Sequence, residues 1–325
     1  MKPRNIYAVA GLTCAVLLPA NAPCQITPAQ ADLLRAAISD RIEALNVLGG
    51  DYLVGGGSYH STGAGPNDAT FNVSKFGGSG ELGALSQLGD LDIAWRPRVI
   101  GNMGTVDFTN QYSSGLLAGD TSKTRAFAVQ FGGGARFWLT PEFSVAPTVL
   151  GMYGHTTNEY TAKSQFMVAN LPKAQAVGLV DWSADTWTVR PALDLQYVYA
   201  WKRTLITLSS DPSYFHTESF KSSSPNVDVN GDSELWSNKV DVDIPLGHML
   251  FGHELRTGGY LERTQLYGDL KEGLNTSYIN EVHGRLVLDF LNQLWLTQWI
   301  GIGGSYYWGQ NFVGWSAGVD FMLVF

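Results

Sequence analysis

The first residues in this sequence whose types and spacing could support chemistry are a histidine and a threonine two positions apart. His155 and Thr157 would share one face of an extended strand, with Asn158 next to them. A histidine that removes the proton of a hydroxyl group is the core of nucleophilic hydrolysis. Threonine is a poor nucleophile for such a site, and the sequence indicates no third residue that orients the imidazole. Hydrogen bonding at a loop end is therefore the favoured interpretation of His155, and no catalytic residue is predicted.

The residues that could bind a metal or cofactor do not form the pattern of a binding site. The six histidines are scattered, and no cysteine follows Cys24, which excludes a zinc site of the Cys₂His₂ type from the mature chain. Glycine triplets at 55–57 and 132–134 lie in strand-like segments, where glycine makes room for a close neighbour. The formal net charge of −8 disfavours nucleic acid as a partner. We predict no cofactor, no metal and no nucleic-acid partner.

The end of the chain shows what kind of element carries these residues. From residue 311 onward apolar side chains occupy every second position, which is the pattern of a β-strand. The apolar face holds Val313, Trp315, Ala317, Val319, Phe321, Leu323 and Phe325. Small and polar residues occupy the other face, as expected for a strand that faces lipid on one side and a lumen on the other. We interpret Phe321 and Phe325 as the membrane signature of a transmembrane β-barrel.

The beginning of the chain predicts export. Lys2 and Arg4 precede an apolar run over 6–18, and small residues near Cys24 offer cleavage sites. Neither cysteine follows the pattern of a lipoprotein site, so lipidation is disfavoured. The sequence therefore divides into a signal peptide at 1–24, a helix or plug segment at 25–50 and a barrel at 51–325. The expected location is the bacterial outer membrane.

Residues 26–47 form the most convincing helix of the sequence. Thr27 can cap it with Pro28 at its first position, and apolar residues then recur at spacings of three and four. Its remaining arc carries Arg35, Asp40, Arg41 and Glu43. About twenty residues give a length of ~30 Å, close to the thickness of a bilayer core. The helix could cap the barrel on its periplasmic side or lie inside the lumen, and the residues alone favour neither.

The rest of the chain predicts strand after strand. We predict an all-β fold, a 12-stranded antiparallel transmembrane barrel, with strands at 51–60, 67–79, 91–108, 124–138, 143–156, 185–201, 204–220, 234–244, 249–263, 278–291, 294–308 and 311–325. Long connections at 109–123, 157–184, 221–233 and 264–276 alternate with short ones at 139–142, 202–203, 245–248 and 291–293. Bacterial barrels alternate long extracellular loops with short periplasmic turns in this way. The first two strands alternate poorly and are the weakest part of the prediction.

Charged residues recur on the predicted inward face of these strands. They are Arg96, Arg98, Arg136, Arg190, Asp194, Lys239, Asp241, Asp243, Glu254, Arg256, Glu281, His283, Arg285 and Asp289. Both signs occur in similar number, whereas an ion-selective pore could bias its lumen to one sign. Buried charges need partners, so we predict a lumen network of ion pairs, or a lumen that holds a helix of mixed charge.

Together these features resemble the β-domain of autotransporters, a family of bacterial outer-membrane barrels. The resemblance rests on the helix at 28–46, the twelve strands and the terminal segment 319–325. Autotransporters carry a passenger between signal and helix, and here only a few residues separate Cys24 from the helix. The expected match is therefore the solitary, passenger-less version. Self-cleaving members cut at an Asn-Asn pair, but this helix offers only Asn46-Val47, so self-cleavage is not expected.

The resemblance implies a structural or interaction role, or limited transport, around a helix-plugged lumen. It implies contact with outer-membrane lipid and lipopolysaccharide, insertion by the barrel-assembly machinery through the C-terminal strand, and a monomer. The competing hypothesis is a monomeric diffusion channel whose helix lies outside the lumen. A surface lipid hydrolase built on His155 is a third and weaker hypothesis.

Overall fold

A computed structural model describes residues 54–61, 67–83, 85–88, 91–112, 117–294 and 297–323. The predicted signal peptide, the predicted helix with Arg35, Asp40, Arg41 and Glu43, and the terminal Phe325 lie outside the described residues.

The described residues form thirteen strands. They are β1 (Val54–Ser61), β2 (Asn67–Glu81), β3 (Ser86–Leu88), β4 (Leu91–Tyr112), β5 (Thr121–Trp138), β6 (Phe143–Thr161), β7 (Ser183–Trp201), β8 (Thr204–Ser222), β9 (Asn230–Leu250), β10 (His253–Gly268), β11 (Tyr278–Leu294), β12 (Thr297–Gly309) and β13 (Phe312–Leu323). Consecutive strands pair antiparallel except β2 and β3; β2 pairs instead with β4, and β13 pairs with β1. The short β3 only extends the edge beside β4. The other twelve strands close into a barrel, so the predicted 12-stranded antiparallel fold is confirmed.

The strands form because their side chains alternate between two surroundings. Along β5 the apolar Phe127, Val129 and Phe131 are exposed, whereas Ala128 and Gln130 between them are buried. Phe131 is 68% exposed, which suits contact with lipid. A membrane needs about ten residues of a tilted strand, but β4 has 22, so the strands continue beyond the bilayer on the side of the long loops. By the rule for bacterial barrels this side is extracellular.

Two predicted turns are wrong. The connection expected at 291–293 lies within β11, which runs to Leu294. The connection expected at 245–248 lies within β9, and the chain reverses at Phe251 and Gly252, which have φ of 52° and 79°. Proline lacks an N–H and is rare inside a strand, but it is tolerated at a bulge. In the structure Pro245 pairs with Arg256, and a bulge accommodates the two residues that follow it. Phe251, which falls within the strand predicted at 249–263, is therefore a turn residue.

The extracellular loops contain helices that the sequence did not predict. Helix α1 (Gln165–Ala176) lies between β6 and β7, and α2 (Asp269–Gly273) lies between β10 and β11. The Ser164 side chain caps α1 by accepting a hydrogen bond from the Met167 amide at 3.2 Å. Among the described residues no helix is both long and apolar enough to cross a membrane.

Candidate functional site

The inward-facing side chains of the barrel form two layers. The first, which we call the apolar layer, consists of one cluster of buried residues: Tyr59, Phe71, Val73, Val106, Phe108, Ala126, Ala128, Met152, Phe215, Leu235, Leu266, Leu270, Leu274, Ile279, Tyr307 and Phe312. They come from every barrel strand except β7 and from the loop that contains α2. On nearly every strand they occupy the half nearer the long loops. This layer lines the extracellular half of the lumen.

Aromatic rings and a folded loop make the apolar layer compact. The Tyr59 ring lies 5.2 Å from that of Tyr307 and stacks on Phe312 at 5.6 Å. Gly314 leaves the space that Tyr59 occupies, because a Cβ there would lie 2.3 Å from the tyrosine ring. The α2 loop folds in from above, and a hydrogen bond of 3.2 Å from Ser61 Oγ to the Leu274 carbonyl holds it there.

Below the apolar layer the lumen is lined by charges, and Arg136 is the centre of the first group. Its guanidinium donates to Glu81 at 2.8 Å and to Asp194 at 2.6 Å. It also donates to Gln196 at 2.8 Å, and Arg98 reaches the same Asp194 carboxylate at 2.8 Å. Strands β2, β4, β5 and β7 are thereby cross-linked through their inward faces.

A second group of charges joins β9, β10 and β11. Arg285 makes a two-pronged contact with Asp241, with both N–O distances at 2.7 Å. Arg256 lies 3.0 Å from Asp243, 3.5 Å from Glu254 and 3.9 Å from Asp289. Paired guanidinium and carboxylate groups of this geometry are the arrangement that a partly buried charge requires.

Between these charges and the apolar layer lies a mixed cluster around Tyr260. Its ring stacks on His283 at 4.5 Å, and its hydroxyl donates to Glu281 at 2.7 Å. The Lys239 ammonium lies 5.0 Å above the same ring, and His283 Nδ1 is 2.9 Å from Ser305 Oγ. This cluster connects the two layers.

The remaining predicted residues are more isolated. Arg190 lies 4.0 Å from Asp211 and 5.0 Å from the Phe215 ring. Arg96 lies over the Trp138 ring at 6.0 Å, and its Nε has no hydrogen-bond partner within the described part of the chain. The predicted lumen residues thus all face inward, and most of them meet, but a functional role for this network stays a prediction. Phe321 pairs with Ile300 in the barrel wall.

Comparisons with known proteins agree on this architecture. The family model described as "Solitary outer membrane autotransporter beta-barrel domain" matches residues 85–321, well over half of the chain. The chain belongs to this family. It is a barrel of the bacterial outer membrane, and the family is generally a transport or structural unit.

Two solved structures support the fold. The transport unit of the autotransporter AIDA-I from Escherichia coli has a TM-score of 0.54 at 8% identity, covering 89% of this chain and 99% of that one. The β-domain of the Bordetella autotransporter BrkA has a TM-score of 0.52 at 12% identity, covering 84% of this chain and 98% of that one. A search of curated proteins finds no match.

On the outer wall of this autotransporter barrel, His155 has a partner that the sequence did not indicate. Its Nδ1 lies 2.5 Å from Asp185 Oδ1, and the Tyr153 hydroxyl donates to the same oxygen at 3.0 Å. The interpretation that nothing orients this imidazole is therefore wrong. Thr157 shares the outward face of β6, two residues further along. Asp185 follows His155 by thirty positions, so only the β6–β7 register could have revealed the pair.

The same arrangement recurs two strands away. His216 Nδ1 lies 2.9 Å from Asp232 Oδ1, and the Tyr214 hydroxyl donates to the same carboxylate. Trp187 lies between the two clusters and meets the His216 ring edge-on at 5.6 Å. In both clusters a tyrosine and a histidine two positions apart on one strand share an aspartate of the next strand. Within the described residues no group of three or more metal-ligating side chains forms.

The extracellular loops of the autotransporter barrel are organised by Asp120. Its carboxylate accepts hydrogen bonds from the backbone amides of Lys163 and Ser164, both at 2.6 Å. The hydroxyls of Ser164 and Tyr160 also donate to it, both at 2.8 Å. Burial opposes ionisation of Asp120, but the hydrogen bonds outweigh burial and hold the pKa of the carboxyl below its usual value. Asp120 therefore fixes the start of α1 to the loop between β4 and β5.

Proposed function

We propose that this barrel is a closed outer-membrane platform with a structural or interaction role, without catalysis and without free passage of solute. The observation that carries the proposal is the apolar layer across the extracellular half of the lumen. Leu270 and Leu274, which enter this layer from the loop, are 0% and 1% exposed. Ions and polar solutes cross a hydrophobic constriction only when it is wetted, and the burial of these leucines supports a constriction that excludes water.

The charged half of the lumen supports a second closure. Its positive and negative groups suit a helix of mixed charge better than a single ion, since each sign meets a complement. Residues 26–47 offer Arg35, Asp40, Arg41 and Glu43 over about 30 Å, a length close to the thickness of a bilayer core and shorter than the barrel. We therefore place this helix in the periplasmic half as a plug. The plug and the apolar layer would close the lumen in series.

The loops supply the surface that such a platform would present. The α1 loop and the β4–β5 loop are joined by Asp120 and by a small apolar cluster that includes Leu117, Met167 and Val180. An ordered loop can bind a partner at a lower entropy cost than a mobile one. The family membership supports insertion by the barrel-assembly machinery, with β13 as the strand that it engages.

Single-channel conductance in a planar bilayer tests the closure. We expect the full mature chain to be silent, and a chain lacking residues 25–48 to be silent as well because the apolar layer remains. Combining this deletion with Leu270→Ser and Leu274→Ser should open a steady conductance. The matched control is the same deletion with Leu261→Ser and Leu286→Ser, two leucines on the outward face.

Each alternative has its own outcome. Conductance by the full chain would replace the platform with the diffusion-channel hypothesis. Conductance by the chain that lacks residues 25–48 but keeps both leucines would mean that the helix closes the lumen and that the apolar layer does not.

A further inference from the structure

The outward face of β8 differs from that of the other long strands. From the periplasmic side it presents Leu208, Ser210, Pro212, Tyr214 and His216, so that small and polar residues stand where lipid-facing residues are expected. The flanking strands present larger side chains at the same level, among them Leu193 on β7 and Trp236 on β9. Strand β8 is therefore the floor of a depression between two higher walls.

Prolines interrupt the pairing under this depression. Strands β7 and β8 keep one register, in which Val189 pairs with His216 and Leu195 with Ser210. Between these two pairs only Ala192 is paired, with Ser213. The unpaired positions include Pro191 and Pro212. Proline has no N–H to donate and is rare inside a sheet. Two of them on adjacent strands weaken this part of the wall without shifting its register.

The depression is a groove made of two consecutive cavities. The upper one has a volume of about 560 Å³ and is lined by Pro191, Leu193, Pro212, Tyr214, Trp236 and Tyr267. The lower one, of about 370 Å³, continues along the same three strands to Tyr197, Leu208 and Val240. From Pro191 to Tyr197 the groove is about 20 Å long. That is slightly more than one leaflet of a bilayer core, which is about 15 Å thick.

The groove ends at a polar cluster on its extracellular side. Tyr214 lines the groove and also donates to Asp232, which His216 contacts at 2.9 Å. Glu234 adds a second carboxylate at the same end. An apolar groove below and hydrogen-bonding groups above match an amphipathic molecule that stands upright in the membrane. The carboxylates favour a head group that carries hydroxyl or ammonium donors.

We propose that this groove binds one lipid of the outer leaflet, with an acyl chain over β8 and the head group against Tyr214, His216 and Asp232. The walls stand on β7 and β9, about 10 Å apart. This width fits a hydrocarbon chain, whereas the convex wall of a second barrel could not enter it. The proposal rests on the outer wall alone and does not depend on closure of the lumen.

Native mass spectrometry of the refolded full chain tests the proposal. The protein is reconstituted in vesicles that contain phosphatidylethanolamine, phosphatidylglycerol and rough lipopolysaccharide, then extracted in mild detergent and weighed. We expect one retained lipid per barrel. Ser210→Leu would place a larger side chain on the groove floor and displace several methylenes of the acyl chain. We therefore expect retention to fall at least about tenfold.

A second groove variant and a matched control keep the result interpretable. Asn238→Phe fills the same groove from the β9 wall, so the proposal does not depend on one variant folding. Ser74→Leu makes the same change as Ser210→Leu on the exposed outward face of β2, away from the groove, and should retain lipid normally. The shift in electrophoretic mobility on heating confirms that each variant is folded.

Three outcomes would overturn the proposal. Equal retention by wild type and both groove variants would show that bound lipid is non-specific. Absence of retained lipid from folded wild type would exclude a lipid site. A concentration-dependent dimer that both groove variants abolish, without any retained lipid, would assign the groove to a second copy of the chain. If retention falls as expected, Asp232→Asn should alter which of the three lipids is retained, because it removes the negative charge and replaces one acceptor oxygen by a donor.

Discussion

The two layers of the lumen are built on the same strands and the same face, yet they hold the barrel together by different means. The apolar layer gains stability from burial, which is nearly independent of direction. The charged layer gains little net energy, because the attraction within each pair is offset by the cost of removing both charges from water. Its contribution is geometric, since a two-pronged contact such as Arg285 with Asp241 forms at one register only. The comparison indicates that burial in the extracellular half stabilises the barrel, while the paired charges of the periplasmic half select its register.

The largest effect should follow from emptying a position in the apolar layer. Phe71→Ala removes a ring that lies 4.5 Å from that of Phe108 and is 2% exposed. We expect a loss of roughly 3–5 kcal/mol, because neighbouring strands cannot collapse into the cavity. Urea unfolding of the barrel in lipid vesicles measures the change.

The matched control for this prediction is Phe131→Ala on the outward face. Lipid chains can fill the space that this substitution leaves, so the loss should be clearly smaller than that of Phe71→Ala. If the two variants lost equal stability, the extracellular half of the lumen would not be a packed layer.

A smaller loss is expected in the charged layer. Arg136→Met leaves Glu81 and Asp194 without their shared partner, which should cost roughly 3 kcal/mol in the same unfolding experiment. Neutralising Glu81 in addition, with Glu81→Gln, should restore part of the stability, because Asp194 keeps Arg98 as its partner. No second substitution of this kind should restore stability in the apolar layer, because the cavity left by Phe71→Ala persists.

Arg125→Met is the control for this second comparison. Arg125 is an exposed arginine of the same strand and lies 3.5 Å from Asp107, so its removal should cost no more than about 1 kcal/mol. If Glu81→Gln restored no stability to the Arg136→Met variant, the network would contribute more than the pairing of its own charges.

Much of the barrel could be predicted from the sequence, because apolar and polar side chains alternate with a period of two along its strands. The twelve strands, the outward aromatic residues and the inward charges all follow from alternation, and the terminal strand shows it most clearly. The apolar layer could not be predicted, because there apolar residues occupy the inward face as well. Phe71 and Val73 face inward whereas Phe76 on the same strand is exposed, so this strand has no single apolar face. The poor alternation of 67–79 was a sign of the layer rather than of a doubtful strand.

Features that depend on distant partners could not be predicted either. Asp185 meets His155 only through the register of two strands, and α1 is fixed by Asp120, which precedes its cap residue Ser164 by 44 positions. No local pattern encodes these contacts. From the sequence alone, Asp185 and Asp120 cannot be distinguished from any other acidic residue.

The smallest and most local effect should appear at Asp120, and it separates the loops from both layers of the lumen. The pKa of this carboxyl is lowered in the folded state, so its stabilising contribution is complete above the unfolded value of about 3.9 and is lost as pH falls through the folded value. Hydrogen exchange of the loop residues 162–182, corrected for intrinsic rates, should therefore be constant from pH 8 to about 5 and rise at lower pH. Asp120→Asn should lower protection by roughly 1–2 kcal/mol already at neutral pH, because hydrogen bonds to a neutral acceptor are weaker.

Glu159→Gln is the control: it neutralises a nearby exposed acid and should leave the exchange of these loop residues unchanged. If Asp120→Asn instead lowered the global stability of the barrel, the loops and the apolar layer would unfold as one unit, and the lumen could not be considered separately from the surface above it.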